Sequence, residues 1–426
     1  MSILLKGGRV VDPSRNLDGV KDILIEEGKI AAIADSMDDT TGETRVVHLA
    51  GKVVLPGLVD MHTHLREPGY EYKETIRSGS EAAAAGGFTS IACMPNTDPV
   101  NDSRAVTEYI VKRAGECNLV HVYPVAAISL RSEGRTLAEF GDLKEAGAVA
   151  FSDDGKPVVD SGLMRRALEY ASSLGLVIIP HCEDLSLSAG GLMNEGRIST
   201  ELGLPGIPTL AEEVMIARDL LLAEYTGAAL HISHVSSAGS VRMIRDAKAR
   251  GIPVTAETAP HYFTLTDEAL RDFDPSFKVN PPLRSPLDRK AIREGLRDGT
   301  LDVIATDHAP HAATDKEVEF EYAASGISGL ETALALSLRL VDDGLLTLSE
   351  LVRKMSTNPA KILNIPGGAL LPGADADITV FDPDRSWIVD PLSWRSKGKN
   401  SPFFGWTLKG KVLMTLVKGR VVYSED

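Results

Sequence analysis

The chain has 426 residues, 43% of them hydrophobic and 25% charged, enough for a sizeable buried core and more than one domain. Its 60 acidic side chains against 45 basic ones leave a formal charge of -15 spread along the sequence, which argues against a nucleic-acid surface, because phosphate binding rests on clustered basic charge. Cys93, Cys117 and Cys182 lie in separate segments and suit a reducing, cytoplasmic compartment; MSILLKGGRVVD lacks the apolar core of a signal peptide, and no apolar run is long enough to span a bilayer.

In chain order, LLKGGRVVD and DILIEEGKIAAI read as short strands and turns. Eight apolar runs follow, bounded by Gly or Pro and ending in polar residues: KVVLPGLVD, FTSIACM, LVHVYPVAA, AVAFSD, LVIIPH, AALHISH, IPVTAET and LDVIATD, from Lys52 to Asp307. Segments such as TIRSGSEAAAAGG, DSRAVTEYIVKRAGE, SGLMRRALEYASSLG, TLAEEVMIARDLLLAEYTG and SAGSVRMIRDAKARG lie between them. Their apolar residues repeat at helical spacing, and they often stop at Gly. Strands alternating with helices predict an α/β fold, a (β/α)8 TIM-type barrel over 53–367. The tail returns to strands with ADITVFD, RSWIV and KVLMTLVKGRVVY. Neither end can bury a core alone, so 1–52 and 368–426 are expected to meet as one small β-sandwich. The acidic stretch TDKEVEFEY, Thr314 to Tyr322, reads as a solvated helix face.

VDMHTHLREPG places His62 and His64 two apart, so in an extended strand both rings face one side and can share an ion. An HxH alone also occurs by chance in strands. Other run ends add weight: Asp153 and Asp154 in FSDDG, His181 in IIPHCED, His231 and His234 in LHISHVS, Asp307 in IATDHAPH. In a barrel these positions converge on the face where catalytic groups sit, with ligands enough for two divalent ions. The competing reading, a satisfied core histidine at each place, needs the same accident at every strand end. Asp307 is the candidate carboxylate to take and hand on a water proton, although Asp there could also cap a helix.

The motifs VDMHTHLREPG, CMPNTDP, FSDDG, HCED, HISHVSS, KVNPPLR, ATDHAPH and SGISGLETAL, in this order, resemble those of the class I dihydroorotases of the cyclic amidohydrolase superfamily. The resemblance covers essentially the whole barrel. It implies reversible closure of N-carbamoyl-L-aspartate to (S)-dihydroorotate in de novo pyrimidine synthesis, with two zinc ions per subunit. By position, His62, His64 and Asp307 would hold one ion, His181 and His234 the other, and Asp154 would bridge them, with Asp153 as the rival bridge. Many relatives bridge with a carboxylated lysine, and FSDDG has none. Arg66 would grip the substrate's spare carboxylate with its planar fork. His64, Asn96, Asn280 and His311 match further substrate contacts, and Ser325 and Gly326 fall where family members use backbone groups of a loop. On residue type alone Asn96, Asn280 and Gly326 would be turn formers. Cys182, beside a ligand, should point away as a packed thiol. The resemblance also suggests a homo-oligomer and possible association with aspartate transcarbamoylase. A hydantoinase or allantoinase would share the barrel and HxH, and a catalytically dead scaffold subunit would have lost ligands. The missing bridge lysine and the LREPG argue against the first, and the filled ligand positions against the second.

Overall fold

The structure, a computed structural model, describes residues 2–38 and 44–425. Eight strands pair side by side in sequence order, all parallel: β1 (Leu58–Thr63), β2 (Phe88–Cys93), β3 (His121–Ala126), β4 (Ala150–Phe151), β5 (Val177–Ile178), β6 (Leu230–Ile232), β7 (Val254–Thr258) and β8 (Val303–Ile304). They form the expected barrel. The seam between β8 and β1 is held just past the strand ends, where Thr63 bridges to His308 and the His64 N–H donates to the His308 carbonyl at 2.9 Å. Lower on the seam, the buried Asp60 carboxylate accepts the Thr306 N–H at 3.1 Å and the Thr306 hydroxyl at 2.5 Å.

Pleating sorts the strand residues. Met61, Ala92, Met94, Val125, Ala150, Ile179, Val303 and Ala305 form one cluster filling the barrel, whereas Leu58, Ile91, Cys93, Ala126, Phe151, Ile178, Ile232 and Ile304 belong to the larger cluster shared with the helices. The helices begin at side-chain caps where the sequence supplies them. Thr75 and Ser78 make a reciprocal capping box for Ile76–Ala85, and Asp160 accepts the Leu163 N–H at 2.6 Å to start Ser161–Ser173.

The two chain ends do meet. Ser2–Asp12, Leu17–Glu26, Lys29–Ala34, Arg45–His48, Val53–Pro56, Ile378–Ile388, Thr407–Val417 and Arg420–Ser424 make one continuous mixed sheet. Its apolar residues share a core of their own, including Ile3, Leu5, Ile23, Ile25, Val54, Ile378 and Leu416. The junction differs from expectation. The run Lys52–Asp60 is two strands rather than one: Val53–Pro56 pairs with both ends, antiparallel to Ile378–Phe381, and the barrel starts only at Leu58. Gly57 makes the switch, and a Cβ there would clash with the Thr89 hydroxyl.

TDKEVEFEY is likewise not a helix face. Only Ala313–Lys316 is helical, and Lys316 and Phe320 are buried, because their partners come from neighbouring loops. No helix among the described residues is long and apolar enough to cross a membrane.

Candidate active site

β1 delivers His62 and His64. Two groups of donors form with them just beyond the strand ends: His62, His64 and Asp154, and Asp154, His181 and His234, the donor atoms of each lying within 4.8 Å of one another. Asp154 belongs to both. Its oxygens lie 3.5 Å from His62 Nε2, 3.5 Å from His64 Nε2, 3.6 Å from His181 Nδ1 and 3.7 Å from His234 Nε2. Asp307 Oδ1 lies 3.1 Å from His64 Nε2 and 3.5 Å from His62 Nε2. The choice between neighbouring carboxylates is geometric. Asp153 points away, accepting the Ile128 and Ser129 N–H groups at 2.8 and 3.1 Å and the Ser129 hydroxyl.

These groups suit a cation better than one another. His62 Nε2 is buried with no hydrogen-bond partner while it faces two carboxylates, an orphaned donor atom of the kind a bound ion satisfies. Burial disfavours charge throughout, yet Glu257, Asp307 and Asp154 together hold the His62 imidazole well above its ordinary range. In return the facing imidazoles overcome burial and hold Asp154 and Asp307 below the usual carboxylate range. A divalent cation would displace the imidazole protons and keep the carboxylates in the form already favoured. The residues fit a metal.

Backbone strain accompanies this placement. Arg66, His234 and Asp307 have φ of 64°, 34° and 48°, left-handed values that cost a non-glycine residue on the order of 1 kcal/mol each and tend to gather at working sites.

Above the donors is a cavity of about 230 Å³, walled by His64, Arg66, Asn96, Asp154, His181, His234, Asn280, Asp307, His311, Ser325 and Gly326 together with Gly155, Val279 and Ala309. Apart from Asp153, every ligand and substrate contact named from the motifs therefore lines it except His62, which lies buried beneath. Asn96 Oδ1 lies 2.9 Å from His64 Nδ1, and Asn280 Nδ2 donates to Glu183 at 3.0 Å. The half-buried Arg66 donates Nε to the Pro310 carbonyl at 3.2 Å and has Nη2 3.4 Å from His311 Nε2, which leaves part of its fork for a ligand. Burial, then Arg66, Lys73 and Lys316, press His311 down to about 2, so its imidazole is neutral; Nε2 donates to the Ser325 carbonyl at 3.0 Å. Both backbone groups of Gly326 already have partners within the protein. Its N–H donates to the Lys278 carbonyl at 2.9 Å and its own carbonyl accepts from Lys316 and Asn400, so its backbone serves the loop.

The residues that pattern reading misses sit one layer out. Glu257, next to the last residue of β7, lies 2.6 Å from His62 Nδ1 and 3.2 Å from His231 Nε2, which makes His231 a partner of the support rather than of the cavity. A buried Glu closing the run IPVTAET was the available signal. Glu183, in HCED, lies 2.9 Å from His181 Nε2. Cys182 is packed as expected, its Sγ 3.7 Å from Asp219.

A parallel barrel whose strand ends pool imidazoles and carboxylates beneath a small polar cavity defines an amidohydrolase with a metal cofactor. Comparison with known proteins narrows the class. The family described as Dihydro-orotase-like matches residues 51–240, and the Amidohydrolase family matches 227–423. Over all of both chains, the sequence is 78% identical to the dihydroorotase of Syntrophus aciditrophicus and 57% identical to that of Geobacter metallireducens. Among solved structures, the L-hydantoinase (dihydropyrimidinase) from Arthrobacter aurescens superposes with a TM-score of 0.89 at 30% identity, covering 99% of this chain and 96% of that one. The chain belongs to the dihydroorotase family of the cyclic amidohydrolases.

Proposed function

We propose that the chain catalyses the reversible cyclisation of N-carbamoyl-L-aspartate to (S)-dihydroorotate and water, the ring-forming step of pyrimidine synthesis. The observation that carries this reading is the pairing, in one cavity, of the Asp154-centred donors with a half-buried arginine fork at Arg66 beside His311. Such a cavity suits a cyclic amide that also bears a carboxylate. The family's hydantoinase neighbours are named for rings of another kind.

The reading assigns His62, His64 and Asp307 to one zinc, His181 and His234 to a second, and Asp154 to both. When bound, such ions lower the pKa of water and polarise a carbonyl. Arg66, with Asn96, Asn280, His311 and the Ser325–Gly326 segment around it, holds the carboxylate that stays outside the reaction. This orients the ring so that the carbonyl beside the methylene faces His64 and Asp307. In the hydrolytic direction, water oxygen bonds to that carbonyl carbon as Asp307 takes its proton. The carbon–nitrogen bond then breaks, and Asp307 gives the proton to the departing nitrogen. Closure is the reverse. It consumes a carboxylate and takes up a proton, so lower pH favours the ring; an equilibrium independent of pH would refute the assignment. The decisive assay compares carbamoyl aspartate with hydantoin and allantoin, and a preference for either of the latter would overturn it.

The three unpaired cysteines support a cytoplasmic setting. We extend the reading to a homo-oligomer and to association with aspartate transcarbamoylase, whose product is this substrate. Sedimentation of the chain alone and mixed with that enzyme tests both.

A further inference from the structure

Ser325 reaches the cavity on residues 312–326, a segment whose only regular structure is the short turn Ala313–Lys316. Two buried side chains from outside its tip set its shape. Lys316, 6% exposed, donates Nζ to the carbonyls of Ala324 at 2.8 Å, Gly326 at 3.2 Å and Lys278 at 3.3 Å. Asn400, 3% exposed and drawn from beyond the barrel, donates Nδ2 to the carbonyls of Ala309 at 2.9 Å and Gly326 at 3.0 Å. Its Oδ1 accepts the His311 N–H and the Ser328 hydroxyl, both at 2.9 Å. Lys278 adds a third tie, donating Nζ to the Phe320 and Glu321 carbonyls at 2.7 and 2.9 Å.

The Gly326 carbonyl is therefore held from two directions and its N–H from a third, so the peptide groups on both sides of Gly326 are fixed. At Gly326, with φ of 150°, a Cβ would meet the Ala309 carbonyl at 2.7 Å and His311 Cδ2 at 3.0 Å. The segment thus rests on His311, while Asn400 fixes the His311 backbone from behind. Recognition of a carboxylate by the Arg66 fork needs its donors, and the His311 ring beside them, fixed to within fractions of an ångström, and a segment without a ladder of its own does not supply that.

We propose that Lys316 and Asn400 are positioning residues that set preference for a ring bearing a carboxylate, by clamping the Ser325–Gly326 segment and His311 in register with Arg66. Neither reaches the donor cluster, so the clamp acts on recognition and leaves proton transfer alone. The proposal rests on the function given above and refines its specificity.

The test measures kcat and KM for dihydroorotate in Asn400→Asp and Lys316→Met, with the Ki of dihydrouracil, the same ring without the carboxylate, as competitor. Asp keeps the size of Asn but removes both donors. Should Lys316→Met fail to fold, Lys316→Gln replaces it. The expected result is a KM raised about tenfold, the loss of one to two hydrogen bonds to a buried group, with the dihydrouracil Ki unchanged and kcat within about threefold. An unchanged KM, or a KM and Ki that rise together, would overturn the clamp. A wild-type enzyme that does not turn over dihydroorotate would instead overturn the function on which it rests.

Discussion

Glu257 Oε1 lies 2.6 Å from His62 Nδ1, and its other oxygen lies 3.2 Å from His231 Nε2, whose Nδ1 in turn meets the Thr255 hydroxyl at 2.8 Å. This buried chain fixes the His62 ring so that Nε2 faces Asp154 and Asp307. An imidazole that gives its other N–H to a carboxylate is oriented and more basic as a ligand. Glu257→Gln is expected to weaken metal affinity roughly 10- to 100-fold while the fold is retained. Competition with a chelator checks it, and wild-type affinity would show that His62 needs no such support.

The two carboxylates nearest the imidazoles should separate by function. Asp154 lies within reach of four rings, so Asp154→Ala is expected to lose most of the bound metal, whereas Asp307→Asn should keep a substantial share and lose at least about a thousandfold in turnover. Metal analysis beside the dihydroorotate assay reads both. Full activity in Asp307→Asn would remove that residue from proton transfer.

Arg66 is half-buried in the cavity wall and spends only Nε on the protein backbone. Arg66→Lys preserves the charge but loses the planar fork, so KM for dihydroorotate is expected to rise at least about tenfold with a smaller change in kcat. Steady-state kinetics decides the point. A KM within twofold of wild type would mean that the carboxylate is held elsewhere.

Glu67 gives a test of stability away from the chemistry. Burial works against its charge, but the Ile76 N–H at 2.8 Å, Arg113 at 2.9 Å and the Tyr109 hydroxyl at 3.0 Å together hold the carboxyl below its ordinary 4.5. A pKa lowered by folding contributes stability above the unfolded value and loses it as pH falls through the folded one. Glu67→Gln is therefore expected to cost about 1 kcal/mol at pH 7, with the difference from wild type shrinking below about pH 4.5. Denaturant melts at both pH values measure it, and a difference that does not depend on pH would contradict the ionic account.

The barrel was legible because each strand is a short apolar run closed by a polar residue, and that period survives in one dimension. The junction at Gly57 was not. Val53–Leu55 and Leu58–Asp60 belong to one apolar stretch, and only pairing with Arg9–Val10 and with Ile378–Phe381, at the two chain ends, assigns the first half to the end sheet. TDKEVEFEY was legible in part: Glu317, Glu319 and Glu321 are exposed as their charge suggests, but the stretch is not a helix and Lys316 is buried by carbonyls from Lys278, Ala324 and Gly326.

By itself, the sequence determined the kinds of chemistry available: paired imidazoles at strand spacing, carboxylates at run ends, and an arginine two residues past the second histidine. Those are local properties, set by strand alternation and residue type. Tertiary structure alone decided that Asp154 rather than Asp153 faces the imidazoles, that Glu257 stands behind His62, and that Asn400 holds His311 in place. Each of these last choices depends on where a buried polar group finds its hydrogen-bond partner. Those partners are set by how the closed barrel packs against its loops and chain ends, and sequence separation carries no record of it.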